Sequence, residues 1–415
     1  MSKLGKKEPR MDTDEHGCDF LEKLLDGAEV EWVALGEVAT FLKGKSLPKK
    51  SIVEEGVHKC IHYGELFTYY PAIIKDVKSR TSQSITDSIV SLSNDVLMPT
   101  SDVTPTGLAV ASCIREDNIV LGGDILVIRS SAIDGRFLST FIRNNKSKIM
   151  QMVKGATVYH IYAKDLAKLS IPIPCPENPE KSLAIQAEIV RILDTFTELT
   201  TELTTELTAR TKQYNYYRDQ LLTFEDCAVT WKELGNVTEI NTGQKPSEIL
   251  ERATGFDYIN AGTSRSGYSA NSNCEGDIVT TPSRGQGGIG YVGYQKRPFW
   301  LGALCYKMKS KDKDFLINKY LFYFLQSKRE LLLGLKKEGG VPAVNKSDLA
   351  KLQIPVPSPT EQARIVAILD KFDTLTHSIS EGLPREIELR QKQYEYYRDL
   401  LLNFPKSGPQ TEIVA

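Results

Sequence analysis

The sequence lacks the features that would place it in a membrane or in an oxidising compartment. It has no run of about 18 apolar residues, so we expect no transmembrane helix. Its first ten residues are polar and basic, which argues against a secretory signal. Seven cysteines are scattered without a Cys-x-x-Cys pair, so neither a disulfide framework nor a zinc site is indicated. These absences predict a cytoplasmic protein that does not contact a membrane.

The sequence also lacks recognisable catalytic chemistry. Its five histidines are not at ligand spacing, and neither an Asp-Pro-Pro-Tyr-like adenine methylation motif nor a helicase signature is found. Gly44-Lys45-Ser46 and Gly285-x-Gly287-x-x-Gly290 resemble phosphate-binding loops by letters alone, because neither is followed by a helical pattern. We therefore expect no catalytic residues, no metal and no cofactor in this chain.

A strong net charge is missing, but charge is distributed unevenly. The 415 residues carry 52 Lys and Arg against 53 Asp and Glu. Residues 230–352 contain 18 basic and 12 acidic residues, and residues 31–170 contain 17 and 14. Residues 177–224 and 358–404 are net acidic, with 5 against 8 and 6 against 8. Two mildly basic blocks thus alternate with two acidic segments, although ordinary charge scatter explains these sums equally well.

What the sequence does contain is an internal duplication. Residues 212–224 (KQYNYYRDQLLTF) return at 392–404 as KQYEYYRDLLLNF. A Trp-x-x-Leu-Gly-x-Val motif begins at Trp32 and again at Trp231, and an Ile-Pro-x-Pro motif begins at Ile171 and at Ile354. Each half therefore consists of a variable block, a proline-rich exit and a helical segment.

The repeated segments predict long helices, whereas the blocks predict mixed α/β structure. Apolar residues recur every three or four positions from 185 to 222, which corresponds to a helix of about 57 Å that needs a partner, most obviously its repeat. The second helical segment should break or kink at Gly382-Leu383-Pro384. In the blocks we expect buried strands at 124–129 and 303–308, and helices at 136–153 and 314–335.

A tetrapeptide is repeated three times within the first long helix. The copies are Thr197-Glu198-Leu199-Thr200, Thr201-Glu202-Leu203-Thr204 and Thr205-Glu206-Leu207-Thr208. Each copy adds about 6 Å of helix and rotates the next helical segment by about 40°. The repeat is either a low-complexity patch on a surface helix or a spacer whose copy number sets a distance.

The blocks contain residue types suited to binding DNA. Arg and Gln can contact base edges in pairs of hydrogen bonds, and Lys and Ser more often hold phosphates. The candidates are Lys43, Lys45, Lys49, Lys50, Arg80, Tyr159 and His160 in the first block, and Lys245, Arg265, Ser283, Arg284, Gln286, Tyr291, Lys296 and Arg297 in the second. For each of them a solvated surface position is an equally good interpretation. The glycines at 285–290 either let backbone approach DNA or form a tight hairpin.

The doubled order of block, Ile-Pro-x-Pro, Gln-x-x-Ile-Val-x-x-Leu-Asp-x-Phe and Gln-Tyr-x-Tyr-Tyr-Arg-Asp-x-Leu-Leu-x-Phe resembles the specificity subunit of type I restriction-modification enzymes. The resemblance extends from about Glu29 to Phe404. It implies an α/β (α+β) fold with two target-recognition domains in tandem, joined and separated by two long helices that pack as an antiparallel coiled coil with pseudo-two-fold symmetry. The implied divisions are a flexible extension (1–28), a first recognition domain (29–176), a central helix with the spacer (177–226), a second recognition domain (227–357), a C-terminal helix (358–405) and a tail (406–415).

The resemblance also implies partners. Each recognition domain would read one part of a split, asymmetric site in double-stranded DNA. Two modification subunits would supply adenine methylation with S-adenosylmethionine, and restriction subunits would add translocation and cleavage with ATP and Mg²⁺. The residues expected to form the helix pair and two like docking faces are Gln186, Ile189, Leu193, Tyr214, Tyr217, Arg218, Gln362, Ile365, Leu369, Tyr394, Tyr397 and Arg398. Tyr214 and Tyr217, three residues apart, are alternatively only part of the helix seam.

Two other classes of protein compete with this interpretation. A repeat-built interaction scaffold without a DNA role would show the same duplication, and salt-dependent binding to duplex DNA would separate the two. An all-in-one restriction enzyme would need nuclease and methylase motifs that this sequence does not contain.

Overall fold

The computed structural model describes residues 15–225, 229–252, 255–285, 287–337 and 339–404. The chain divides into two compact units. Unit 1 comprises Met1–Thr201 with Leu389–Ala415, and unit 2 comprises Glu202–Glu388. Each unit therefore combines one variable block with parts of both long helical segments, so the division falls inside the Thr-Glu-Leu-Thr repeat.

Unit 1 is built around a five-stranded sheet, with smaller sheets beside it. The strands of the whole unit are β1 (Val30–Ala34), β2 (Thr40–Lys43), β3 (His58–Ile61), β4 (Ile73–Ile74), β5 (Arg80–Thr81), β6 (Val96–Pro99), β7 (Ser101–Asp102), β8 (Ser112–Ile114), β9 (Val120–Leu121), β10 (Ile125–Arg129), β11 (Lys154–Gly155), β12 (Tyr159–His160) and β13 (Ser170–Pro174). The central sheet has the order β2-β10-β6-β8-β4, with smaller sheets β5-β3-β9, β11-β12-β7 and β1-β13. Strand β10 is buried at its first four residues because it lies between β2 and β6 in the core.

Unit 1 also contains short helices. They are α1 (Glu15–Leu25), α2 (Leu35–Val38), α3 (Glu65–Thr68), α4 (Gly135–Asn144), α5 (Lys146–Met152) and α6 (Ala163–Leu166), with 3-10 turns at Lys49–Ser51 and Pro105–Ala109. The single helix expected at 136–153 is thus two helices divided at Asn145, whose side chain donates a hydrogen bond to the carbonyl of Phe141. Such local bonding competes with helix propagation.

Unit 2 repeats the plan with fewer strands. They are β14 (Thr230–Glu233), β15 (Thr238–Thr242), β16 (Phe256–Ile259), β17 (Tyr268–Ser269), β18 (Ile278–Pro282), β19 (Gly293–Gln295), β20 (Trp300–Leu301), β21 (Cys305–Ser310) and β22 (Gln353–Val356). The sheets have the orders β15-β21-β18-β19, β17-β16-β20 and β14-β22. The block helices are α8 (Leu234–Val237), α9 (Asn318–Ser327), α10 (Arg329–Gly334) and α11 (Lys346–Ala350), so the helix expected at 314–335 is also divided, at Lys328.

The repeated motifs pair with each other inside each unit. Trp32 of β1 is opposite Pro172 of β13, and Trp231 of β14 is opposite Pro355 of β22. The glycine of the Trp motif follows this strand and packs closely against the block. At Gly235 an added Cβ would lie 2.8 Å from the Cβ of Ala350. The motifs at the two ends of each block therefore form one antiparallel strand pair that closes the block.

The long helical segments form three helices. Helix α7 (Pro179–Leu221) has 43 residues, or about 64 Å, and continues without interruption through the tetrapeptide repeat. Helices α12 (Pro359–His377) and α13 (Gly382–Leu402) are separated at 378–381, just before the Gly382-Leu383-Pro384 segment where a break or kink was expected, and Gly382 has a positive φ of 80°. That conformation favours glycine.

Within each unit, one segment of α7 packs antiparallel to a segment of the C-terminal helices. In unit 1 the rings of Phe196 and Tyr397 stack with centroids 5.2 Å apart. In unit 2 the rings of Tyr217 and Phe372 stack at 5.8 Å, and Tyr214 contacts His377 at 5.4 Å. The expected pairing of the helix with its repeat is therefore confirmed, and each tyrosine signature packs beside the block of the other half.

Helix α1 corrects one expectation. Residues 15–25, which we expected to belong to a flexible extension, form a helix that packs on unit 1. Leu21 and Leu25 are buried in the same cluster as Val30, and Phe20 makes an edge contact with Tyr397 at 5.7 Å. Burial of these apolar side chains stabilises a helix too short to persist alone.

Candidate nucleic-acid interface

Most of the candidate residues of unit 1 lie at one edge of its central sheet. Because β10 is antiparallel to β2 and β6, the ends of those two strands meet the start of β10 at this edge. The amide of Gly44 donates to Ile125, and the amide of Thr100 donates to Asp124 at 2.8 Å. We call residues 43–50, 100–102, 124 and 154–162 the loop edge of unit 1.

A shallow cavity of about 480 Å³ lies at this edge, and Lys43 is the lysine that lines it. Lys43 is exposed and lies 4.0 Å from Asp124, a contact too long and too solvated to hold it firmly. His62 lines the cavity, and burial together with the nearby charge of Lys49 lowers its pKa, against the opposite pull of Glu65. Lys45 and Lys50 are exposed. The lysine side chains are therefore available to bind anions.

A small hairpin continues the loop edge. Tyr159 and His160 of β12 pair with β7, and the amide of Ile161 donates to Thr100. Sequence reasoning missed Tyr162, which is 46% exposed and has the amino group of Lys154 at 6.0 Å from its ring. The alternation of aromatic and basic residues over 154–164 was the available signal. Such interleaving suits contacts with bases and phosphates together.

Unit 2 has an equivalent loop edge. The amide of Gly243 donates to Gly302 at 3.0 Å, and the amide of Ser283 donates to Leu304 at 2.9 Å. The amide of Val344 in turn donates to Ser283, as Ile161 does to Thr100 in unit 1. We call residues 243–245, 283–285, 304 and 337–344 the loop edge of unit 2. It places the exposed side chains of Lys245 and Arg284 where unit 1 has its lysines and hairpin.

The glycine-rich loop of unit 2 is explained by its own conformation. Gly285, Gly287 and Gly290 have positive φ values of 121°, 87° and 86°. A Cβ at Gly288 would lie 2.1 Å from the carbonyl oxygen of Ala261. The glycines therefore provide the positive φ angles and the close backbone approach that this tight turn requires. The turn brings the loop that carries Arg265 beside the loop edge, and the Arg265 guanidinium lies 4.7 Å from the ring centroid of Tyr268.

Four other candidates do not contribute an exposed, unengaged side chain to the loop edge of their unit. The guanidinium of Arg80 donates to the carbonyl of Gly56 at 2.7 Å, so it holds a loop of its own unit. Ser283 is buried at 5% exposure. Lys296 and Arg297 follow β19, whose Gln295 is opposite Ile278 at the start of β18, so they lie at the other end of the sheet.

Tyr291 lies just beyond the glycine-rich loop and is partly accessible. It is 38% exposed and its carbonyl accepts the Thr281 hydroxyl at 2.8 Å, while burial raises the pKa of its phenol. The remaining candidate, Gln286, lies outside the described residues.

The helix residues have mainly internal roles. Gln186 and Gln362 are fully buried, so they cannot form docking faces as expected. The Gln362 side chain accepts from the amide of Ile317 at 2.8 Å and donates to the carbonyls of Phe315 and Pro357 at 2.9 Å. Gln186 accepts from the amide of Asp134 at 2.9 Å. Each glutamine thus attaches a long helix to its own block.

The same correction applies to most of the apolar helix residues. Those buried in the cores of the units are Ile189, Leu193, Tyr214, Ile365 and Leu369. Tyr394, Tyr397, Arg218 and Arg398 are half-buried, and each arginine lies over the ring of the tyrosine four residues earlier, at 5.7 and 5.8 Å. Only Tyr217, at 42% exposure, keeps a large free surface, and its neighbour Tyr216 is more exposed still at 61%.

The tetrapeptide repeat is regular helix. The hydroxyls of Thr197, Thr200, Thr201 and Thr208 donate to carbonyls four residues earlier, at 2.8–3.1 Å. Its leucines are half-buried, and its glutamates are exposed. Each copy is therefore a rigid increment of helix length.

Neither a metal centre nor a membrane segment is found in the part of the chain that the structure describes. No group of three or more His, Cys, Asp or Glu side chains there is placed to hold a metal ion. No helix among those residues combines the length and the apolar character needed to cross a bilayer.

Comparison with known families agrees with this two-unit design. The model of the type I restriction modification DNA specificity domain matches residues 28–213 and again residues 228–389. The chain therefore belongs to the type I restriction-modification DNA specificity family. Its role is that of the subunit that recognises DNA sequence in such a system. The doubled match confirms the tandem arrangement of target-recognition domains that the sequence predicted.

Individual relatives are similar over nearly their whole length. A type I restriction enzyme specificity subunit of Escherichia coli is 35% identical over 407 residues, covering 93% of this chain and 97% of that one. A putative specificity subunit of Haemophilus influenzae is 31% identical and covers 93% and 98%. The crystal structure of an S subunit from M. genitalium has a TM-score of 0.58 at 18% identity and covers 92% and 98%, which shows the shared fold.

Proposed function

We propose that each unit reads one part of a split DNA site through its loop edge. Two backbone hydrogen bonds recur in both loop edges, since Thr100 and Ser283 each donate their own amide and each accept an amide from a later segment of their own block. Both edges present lysine, but the other accessible side chains differ, with Tyr159 and His160 in unit 1 and Arg284 in unit 2. An equivalent backbone with different side chains is what recognition of two different short sequences requires.

At the loop edge of unit 1 we assign phosphate contacts to Lys43, Lys45, Lys49 and Lys50 and base contacts to Tyr159 and His160. At that of unit 2 we assign Lys245 to phosphate and Arg284 to a base edge, with Arg265 and Tyr291 nearby, and Gln286 stays a candidate by its residue type alone. Arginine is suited to the base role because its planar group can donate two hydrogen bonds to guanine. Arg80 and Ser283 are left out of this assignment because their groups are used within the fold.

The chain would act without catalysis of its own, as part of a larger complex. Two modification subunits would bind the outward faces of the tyrosine signatures, where Tyr216 and Tyr396 occupy equivalent positions beside Tyr217 and Tyr397, each pair with ring centroids 5.4 Å apart. Near-identical faces in the two units fit two copies of one partner. Restriction subunits would join this complex. S-adenosylmethionine, ATP and Mg²⁺ would belong to these partners, which would methylate adenine and cleave DNA.

Exchange of one block tests the assignment of units to half-sites. Residues 30–175 are replaced by the corresponding block of another family member, and the chain is expressed with its modification subunits. Methylation sequencing of the host DNA should show one new half-sequence and one unchanged half-sequence. A change in both halves would show that the two units do not read DNA independently.

Two arginine variants of unit 2 test the loop edge itself. Arg284→Ala should weaken binding of the assembled complex to its site by about 10-fold or more and relax the preference at one base pair. Arg297→Ala removes the same charge at the other end of the sheet and is the matched control. Both are measured by fluorescence anisotropy at several salt concentrations. Equal effects of the two variants would contradict the proposed surface.

A further inference from the structure

The two units differ at one position beside the helix pair. Helices α4 and α9 are equivalent, because the residue before each, Asp134 or Ile317, donates its amide to the buried glutamine of the following long helix. Counting from these residues, Thr140 of α4 occupies the position of Tyr323 of α9. A small side chain thus replaces a large aromatic one.

In unit 2 the tyrosine fills its position and satisfies a carboxylate. Tyr323 is fully buried, and its hydroxyl donates to Asp370 of α12 at 2.5 Å. Lys319 supplies a second partner, with its amino group 3.4 Å from the same carboxylate. Asp370 belongs to the repeated Ile-Leu-Asp motif of the long helices.

In unit 1 the equivalent carboxylate, Asp194, has lost both donors. Arg136, which occupies the position of Lys319, pairs with Asp134 at 2.6 Å. The Thr140 hydroxyl donates to the carbonyl of Arg136 at 2.8 Å. Among the residues that the structure describes, none donates a hydrogen bond to the Asp194 carboxylate. Burial raises the pKa of that group, although Lys75 and Arg136 pull it down.

A cavity of about 380 Å³ lies where the tyrosine is missing. Its walls include Ile73, Thr140, Leu193 and Tyr394, and Asp194 faces it. Other charged residues line it too. Arg143 donates to Ala111 and Ser112, and Arg398 is paired with Asp399 at 2.8 Å. Lys75 and Glu198 are also in the lining, and within the described ranges Lys75 makes no hydrogen bond with Asp194. A cavity of about 150 Å³ is enough for benzene, so this one can hold a substituted ring.

We propose that this cavity of unit 1 binds an aromatic ring that carries a hydrogen-bond donor, a ligand of the phenol class whose hydroxyl donates to Asp194. The ring would lie against Leu193 and Tyr394, as Tyr323 lies against the equivalent helix pair in unit 2. The residues that the structure does not describe contain no Phe, Tyr or Trp, so none of them supplies the ring. The occupant is therefore another molecule, either a free aromatic compound or a tyrosine of a bound subunit.

Titration of the full chain with 4-methylphenol tests the site. We expect one saturable site in the millimolar range by calorimetry or NMR, with toluene on the order of tenfold weaker because it cannot donate to the carboxylate. Thr140→Tyr should remove the binding by filling the cavity, and the matched variant Thr140→Val should keep it. Absence of saturable binding to the wild-type chain, or binding that Thr140→Tyr leaves unchanged, would overturn the proposal.

Two further measurements locate the site and identify the source of the ring. A crystal of the wild-type chain soaked in 4-bromophenol should show the bromine in the cavity beside Asp194, and a bromine bound only elsewhere would overturn the proposal even if Thr140→Tyr fails to fold. The titration is then repeated on the chain assembled with its modification subunits. Loss of 4-methylphenol binding there supports the site with a tyrosine of the partner as its occupant, and retained binding supports it with a free aromatic ligand.

Discussion

The buried Gln362 gives a prediction whose size can be worked out from its contacts. Gln362→Leu keeps roughly the same side-chain volume. It leaves the backbone amide of Ile317 and the carbonyls of Phe315 and Pro357 without their hydrogen-bond partner. Each buried backbone group left unsatisfied costs about 1 kcal/mol or more. Three such groups should lower the free energy of unfolding of unit 2 by about 3 kcal/mol. For a domain of this size that corresponds to a fall in Tm of about 6–12 °C.

Urea unfolding and amide hydrogen exchange measure this effect globally and locally. Exchange at the Ile317 amide should become on the order of a hundredfold faster, since about 3 kcal/mol of protection is lost. Gln213→Leu is the matched control, because Gln213 is half-buried on the same unit and accepts only a surface hydrogen bond from Arg210. It should change stability by less than about 0.5 kcal/mol. If Gln362→Leu behaved like this control, the helix would not be attached through its glutamine.

Three more outcomes are expected for the repeat, the strand pair and one carboxylate. Deletion of Thr201–Thr204 should shorten the unread part of the DNA site by about one to two base pairs, since it removes about 6 Å of helix, and methylation sequencing that showed altered half-sequences would refute this. Gly235→Val should destabilise unit 2 by about 1–3 kcal/mol in thermal melts because a Cβ there meets Ala350 at 2.8 Å, and an unchanged Tm would contradict that contact. The pKa of Asp277 is lowered because hydrogen bonds, the first from Tyr294, outweigh the opposing effect of burial. Its stabilising contribution is therefore present above about pH 4 and lost as the pH falls further, so Asp277→Asn should flatten the acid side of the stability profile, and an unchanged acid slope in urea midpoints would count against it.

The helices and the block boundaries could be predicted from sequence because their signals are local. The apolar stripe of α7, the break at Gly382 and the paired Trp and Ile-Pro motifs all depend on residues close together in the chain or on a visible repeat. The buried strands β10 and β21 were expected for the same reason and are confirmed. The divisions of two block helices were missed because they depend on side-chain hydrogen bonds and packing at single positions.

The site was harder to predict because its residues meet only through the sheet. Thr100 and Ser283 each follow a proline, but this likeness is short, and the backbone hydrogen bonds are what show that the two positions correspond. Residue type alone placed Arg80, Lys296 and Arg297 among the candidates. The fold then separated them, because a charged side chain can be used internally or can lie at the wrong end of a strand. The glutamines were misassigned for a related reason, as a polar residue in a repeated helix motif looks exposed until its partners are known.

The strand pair that closes each block has a genetic consequence. The first and last strands of a block are adjacent along five residues in unit 1, from Val30 opposite Pro174 to Ala34 opposite Ser170. Each block is thus inserted between two neighbouring junctions whose motifs recur in both halves of the chain. Two crossovers, one at each junction, would exchange a whole block. The register between the first and the last strand of the block would stay intact. A lineage could thus acquire a new DNA specificity without any stepwise change in the helices, and crossover points are expected to concentrate in the codons of these short motifs.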